Sequence, residues 1–265
     1  ENELNDPSGA SVFDIRHEAM TRFETMGFPT KRDEEWKYTN LKPVLKQDYT
    51  IFPKAEEALE FKDVKQYFLN DVDTYRLVFV NGIYSSWLSK TTHSGFDVCT
   101  FSSALKRFKD QIALHFAKYA PTNEAMVSLN TAFAKDGAFV RVPKNAVVDK
   151  PIEIVFFTTG ATAEIMTQPR NLIIVEENAQ VQIIERHRSL TTNAVLTNVV
   201  TEVVAGRGSV VDFYKVQNDG EAASIIDSTS INQYSKSCVT LGTFSFGGKL
   251  VRNNLNFFLK EEGTE

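Results

Sequence analysis

From residue 137 onward the chain changes texture, and that half limits the fold more than anything before it. "AFVRV", "IEIVFF", "NLIIVEE", "QVQIIER", "NAVLTNVVTEVV", "SVVDFYKV", "CVTLGTFSF" and "LVRNNLNFFL" follow one another, each rich in Val, Ile, Thr and Phe. Pro143, Gly160, Pro169, Asn178, Gly206, Gly208, Gly220 and Gly247 punctuate them, and no helical repeat intervenes. β-Branched and aromatic runs bounded by turn residues read as strands, so residues 137–265 are all β. A sandwich or barrel would need hairpins; Asp219-Gly220 has hairpin chemistry and most other junctions lack it. A solenoid would stack brief strands with irregular corners, yet no fixed sequence period survives counting. Pattern alone leaves the two level.

Residues 1–136 mix helix and strand. From Ser11, the residues Ile15, Ala19, Phe23 and Met26 recur at helical spacing, and Gly27 and Pro29 supply the stop. In "YRLVFVNGIYSSWL", Asn81-Gly82 between apolar runs predicts a β-hairpin. "SSALKRFKDQIALHFAKYAP" predicts one helix with Leu105, Phe108, Ile112, Phe116 and Tyr119 on a single face. "TNEAMVSLNTAFAKDG" predicts a shorter helix capped by Thr122 and ended by Gly137. The chain therefore divides into a mixed, largely helical region over 1–136 and a β region over 137–265.

A search for chemistry returns little. The net charge of −5 argues against nucleic acid or an anionic membrane as the main partner. No apolar run approaches the roughly 20 residues that span a bilayer. "ENELNDPSGASVF" has neither the basic start nor the apolar stretch of a secretory signal. Cys99 and Cys238 stand far apart with no CxxC partner, which favours core thiols and a reducing compartment. His17, His93, His115 and His187 have no metal-ligand spacing to one another or to a cysteine. His115 reads as a helix-surface histidine and His187 as part of a charged corner.

No phosphate-cradling loop or nucleophile elbow is present; "FGGKL" at Gly247 reads as a tight corner, so the chain is expected neither to bind nor to hydrolyse ATP. Paired carboxylates across a cleft would suit a polysaccharide-cleaving enzyme. Glu176 and Glu177 are neighbours and point to opposite faces, while Glu153, Glu185, Glu202 and Asp212 are isolated in their strands and read as solvated charges. Catalytic, cofactor-binding and metal-binding residues are therefore expected to be none. Ile174, Ile183, Val203 and Phe213 are expected to be buried. In "KRDEEWKYTNLKP", an acidic first turn opens a helical turn, and Trp36 and Tyr38 are expected to pack against neighbours.

That last block belongs to a wider likeness. "GFPTKRDEEWKYTNLKP", "LVFVNGIYSSWLS", "LNTAFAKDGAFVRVPKN", "KPIEIVFF", "QPRNLIIVEENAQVQIIERHRSL", "TNVVTEV" and "VRNNLNFFL" resemble, in order, the SufB/SufD family of subunits in the Suf iron–sulfur cluster assembly system. "EEWKYTNL" places the resemblance on the SufD side. It implies a right-handed parallel β-helix behind an N-terminal helical region, which breaks the architectural tie. It implies a cytoplasmic, non-catalytic scaffold that pairs with a SufB-like subunit and a SufC-like ATPase and is linked to iron acquisition. A cluster would be held only transiently, at the SufB interface of the complete complex, and no cofactor by this chain alone. Family members continue beyond "LKEEGTE", so helices that dock SufC and a cluster-ligating histidine are expected outside this sequence. An open solenoid end invites pairing with a second copy, which makes a homodimer of the isolated chain an expectation too. Against this stand two other readings: a polysaccharide-active β-helix enzyme, and an interaction solenoid with no metal business.

Overall fold

The computed structural model describes residues 12–52, 59–92, 95–160 and 163–265. The N-terminal region opens on helix α1, Phe13–Met26, with Ala19 buried and Ile15 and Phe23 half-buried. Gly27 ends it at φ 67 and ψ −174, a region open essentially to glycine alone. The predicted start at Ser11 and His93 lie outside the described residues. A single 3-10 turn, Glu34–Trp36, follows, then the short helix α2, Phe61–Val64.

Strands β1, Tyr75–Val80, and β2, Ile83–Tyr84, form the predicted hairpin, with Phe79 opposite Tyr84. Asn81 and Gly82 take the positive φ values of 52 and 77 that a two-residue turn of this kind requires. After β3, Asp97–Thr100, the expected single helix is two: α3, Phe101–Arg107, and α4, Lys109–His115. Phe108 leaves helical geometry between them and stacks on Phe139 at 5.1 Å, so contact with the sheet overrides the continuous helical pattern. Helix α5 is Ala125–Phe133 and takes Glu124, not Thr122, at its N-cap. Gly137 does not terminate it, since Ala134 already does. A Cβ at Gly137 would run into the Arg170 carbonyl, so this glycine permits a close backbone approach.

The β region comprises β4, Ala138–Val142; β5, Ile152–Thr158; β6, Ile165–Thr167; β7, Arg170–Val175; β8, Gln180–Ser189; β9, Val195–Ala205; β10, Val210–Gln217; β11, Ala223–Gln233; β12, Cys238–Ser245; and β13, Leu250–Leu259. Its strands alternate between two sheets. The first runs β12-β10-β8-β5-β1-β2 and the second β13-β11-β9-β7-β4-β3, with β6 beside β9. From β4 to β13 every pairing is parallel. Each coil thus adds one strand to each sheet, and the result is a β-solenoid of about four turns. Asp219-Gly220 is a corner between sheets rather than a hairpin, because β10 and β11 lie in opposite sheets. The Gly220 N–H donates to Ser189 Oγ of the preceding coil at 2.7 Å.

One corner recurs up the stack. Asn145, Asn178, Gly208, Lys236 and Gly263 all adopt left-handed backbone, at φ 64, 57, 64, 59 and 74. The Asn145, Asn178 and Gly208 N–H groups donate to Glu177, Arg207 and Ser235, each one coil further on. Asn and Gly tolerate this conformation best, which accounts for most of the set. Between the sheets lies an apolar core that includes Leu77, Ile154, Phe156, Ile183 and Phe213 from one side and Val140, Ile173, Val203 and Ile231 from the other.

The outer faces are covered as well. Helices α3 and α4 and the Phe116 that follows pack on Leu172 and Ile174, while Trp36, Leu41, Val44 and α5 pack on Met166, Leu196 and Ile226. Val64 and Phe68 cover Val78, Val155 and Phe157 of the first sheet. Ile174 is buried as expected, but on the outer face, whereas Ile183, Val203 and Phe213 point inside.

Candidate functional site

The isolated strand acids are where the structure departs most from the sequence reading. Glu153, Glu185 and Glu202 are not solvated; all three are 0% exposed. Burying a carboxylate is costly unless charge and hydrogen bonds compensate, and each of these is compensated.

Glu202 points outward from β9 beneath the segment that follows α4. It accepts N–H bonds from Ala117, Tyr119 and Ala120 at 2.9, 2.8 and 3.0 Å. The fully buried Arg170 donates to it from β7, and also to Thr131 Oγ1 of α5 at 2.9 Å. Glu153 points outward from β5 and lies between Arg76 at 2.7 Å and Arg186 at 3.0 Å, with the Leu69 N–H donating at 3.2 Å. Both clusters fasten the N-terminal layer onto a sheet.

Glu185 points into the solenoid. Lys215, one coil further on, places Nζ 3.3 Å from Glu185 and 2.7 Å from Asp227 of the opposite sheet. Thr229 Oγ1 accepts from the same ammonium at 2.8 Å, and Asn171 donates to Glu185 at 3.1 Å. His187 Nε2 lies 2.8 Å from Glu185, and its ring stacks on Phe156 at 4.9 Å. His187 is therefore an interior strand residue rather than part of a charged corner. Burial alone would push the Glu185 carboxyl up, but the Lys215 charge and the His187 hydrogen bond outweigh it and hold it well below the usual carboxylate range. Burial likewise works against the Lys215 ammonium, and Asp227 and Glu185 raise its pKa regardless.

The remaining candidates stay apart. His17 is exposed on α1, and His115 is half-buried, its Nδ1 2.6 Å from the Tyr119 hydroxyl, with burial lowering its pKa. Cys99 and Cys238 are half-buried rather than core thiols. They sit on β3 and β12, at opposite ends of the stack. Burial pushes the Cys99 thiol up to about 11. Glu176 and Glu177 lie in the corner after β7 and pair with Arg141 at 2.7 Å and Lys144 at 3.0 Å. Among the described residues, no group of His, Cys, Asp and Glu is placed to hold a metal ion, and no helix is long and apolar enough to cross a membrane.

Trp36 is 4% exposed, with the Arg252 guanidinium 4.2 Å from its ring centroid. Arg252 also donates to Thr39 Oγ1 at 3.2 Å. The "EEWKYTN" block thus clamps to β13, 213 residues away. Tyr38 does not pack as expected; it is 92% exposed, because the turn that buries Trp36 points its second neighbour outward.

The last coil forms the other notable surface. Leu255, Phe257 and Leu259 of β13 continue the inward ranks of Thr229, Ile231 and Gln233 in the last described coil. They remain 44%, 45% and 63% exposed. Strands β12 and β13 end their sheets, and Glu265 already pairs beside β12, its carbonyl accepting the Val239 N–H at 2.9 Å.

Comparison with known proteins accounts for both halves. The family model described as the SufBD protein N-terminal region matches residues 1–154, and that of the SUF system FeS cluster assembly SufBD core domain matches residues 156–265. An iron–sulfur cluster assembly SufBD family protein of Synechocystis is 31% identical over 260 residues, covering 94% of this chain and 57% of its own length. SufD of Escherichia coli is 26% identical over 172 residues, with 62% and 36% covered. SufB of Bacillus subtilis is 35% identical over 120 residues, with 44% and 25% covered. The chain therefore spans 57% or less of the length of each of these relatives.

Proposed function

This chain belongs to the SufBD family of iron–sulfur cluster assembly proteins, and on that premise we propose that it is a SufD-like, non-catalytic scaffold subunit. In this reading it pairs with a SufB-like subunit and a SufC-like ATPase in the cytoplasm, and serves iron acquisition for cluster building. A cluster would rest on it only transiently, at the SufB interface.

The observation that supports a scaffold role is the fate of the buried acids. Glu153, Glu185 and Glu202 could have served as general acids or bases, and each is consumed by cations and N–H groups that hold layers and coils together. Carboxylate oxygens already occupied by protein donors are not free to reach a substrate, which a general acid or base must do.

The test is co-purification. A tagged full-length protein, co-expressed with the SufB-like and SufC-like subunits of the same organism, is expected to bring both down in fixed stoichiometry. Recovery of the tagged protein alone, with both partners soluble, would overturn the reading.

A further inference from the structure

The groove beside the end of α1 is the feature that the scaffold reading leaves unexplained. It encloses about 760 Å³, with Phe28, Pro29 and Leu45 as its apolar lining and Lys31, Arg32, Lys42 and Lys46 as its cations. No carboxylate lines it, and none of the four cations forms an ion pair among the described residues. Some surface cations elsewhere pair, as Lys62 does with Glu60 and Arg207 with Glu261, and others, such as Lys65, Lys109 and Lys118, form no ion pair among the described residues. What sets the groove apart, on a chain of net charge −5, is that four cations and no carboxylate line one concavity.

The groove is also pre-formed. The Asp33 carboxylate is taken up locally by the Thr30 N–H at 2.6 Å and the Thr30 hydroxyl at 3.1 Å, which fixes the turn carrying Lys31 and Arg32. Leu41 and Val44 are buried against the solenoid layer, which fixes the turn carrying Lys42, Leu45 and Lys46. Phe28 is held at the rim by an edge-on contact with Phe23 at 5.0 Å. The backbone is thereby fixed, and the ordering cost on binding falls on the four exposed cation side chains.

We propose that this groove docks an acidic peptide segment of a partner protein, with carboxylates on the four cations and an apolar side chain against Phe28, Pro29 and Leu45. Charge complementarity selects the sign of the partner, and the apolar lining selects a side chain over a bare anion. The volume lies in the range of sites that enclose a small ligand or short segment. Nucleic acid fits less well, because single strands favour a longer cationic track with successive aromatic platforms. A membrane surface fits less well too, because the cations surround a concavity instead of projecting from a ridge.

The probe is a fluorescein-labelled peptide of alternating Glu and Leu, titrated by anisotropy against the whole chain. Saturable micromolar binding that weakens with salt is expected, with at least about a tenfold loss in a Lys42→Glu, Lys46→Glu double variant. Both positions are exposed, so the variant is expected to keep its melting temperature; Lys62→Glu, remote from the groove, is expected to bind as the original chain does. If the double variant loses its fold, Lys42→Gln, Lys46→Gln replaces it and is expected to show a smaller loss of the same sign. The proposal fails if no saturable binding occurs up to about 1 mM peptide. It fails equally if a Gln-Leu peptide binds as well, or if duplex DNA or phosphatidylserine vesicles bind more tightly at the same salt concentration.

Discussion

At Lys215 one ammonium holds two carboxylates inside the solenoid, and its removal would leave both without their cation. Lys215→Ala is expected to cost about 3–5 kcal/mol, read from urea denaturation. The pH dependence should separate this from a simple loss of packing. In the original chain the Glu185 pKa is lower folded than unfolded, so its contribution is present above the ordinary glutamate pKa and is lost as pH falls below it. In the variant only the His187 hydrogen bond still opposes burial, so the folded Glu185 pKa moves up and the loss of stability toward low pH should be smaller than in the original chain. A variant whose pH slope matches that of the original chain would show that Lys215 does not compensate these acids. None of this was legible in the sequence. Glu185 reads as a lone charge because its cation, Lys215, lies 30 residues away and meets it only when coils stack. The usable signal would have been a lysine one coil-length after a glutamate, at the same inward rank.

Among the elements, eight of the ten strands from β4 to β13 were legible to within a few residues, while the short β6 and the Ser-, Thr- and Asn-rich β11 were missed because they lack a continuous apolar run. The coil period was not. Asn145, Asn178, Gly208, Lys236 and Gly263 mark one corner, but their spacing drifts through 33, 30, 28 and 27 residues. A count for a fixed repeat therefore fails although the corner "PKNA", "EENA", "GRGS", "YSKS" and "EEGT" recurs. The N-terminal layer was read as helix and hairpin without its docking, because nothing local shows that β1 pairs with β5. Trp36 is the clearest joint in that layer. Trp36→Ala is expected to cost about 3–5 kcal/mol and to expose residues 30–50 to limited proteolysis before the solenoid opens. Cleavage beginning instead within 137–265 would mean that the layer is not held by this side chain.

For the whole molecule, the arrangement of its thiols gives the sharpest expectation. Cys99 and Cys238 lie at opposite ends of the stack, and the Cys99 thiol is pushed up to about 11 by burial. Clusters are held mostly by thiolates, commonly four of them. After anaerobic reconstitution with iron and sulfide and then desalting, this chain is expected to keep no stoichiometric cluster. Its visible absorption and iron content should match those of a Cys99→Ser, Cys238→Ser double variant. A cluster in the original chain that vanishes in the variant would refute this.

The drifting corner also bears on how such a chain changes over generations. Successive coils are aligned by the left-handed residue and its N–H bond to the next coil, not by an equal number of residues between them. Residues can be gained or lost in the opposite loops while every later strand keeps its face, because the next corner resets the register. Insertions that would scramble an ordinary sheet are absorbed within one coil. Lineages of this architecture can therefore diverge in length quickly while their strands remain superimposable. Sequence identity, which counts aligned positions, will understate the kinship of proteins built this way.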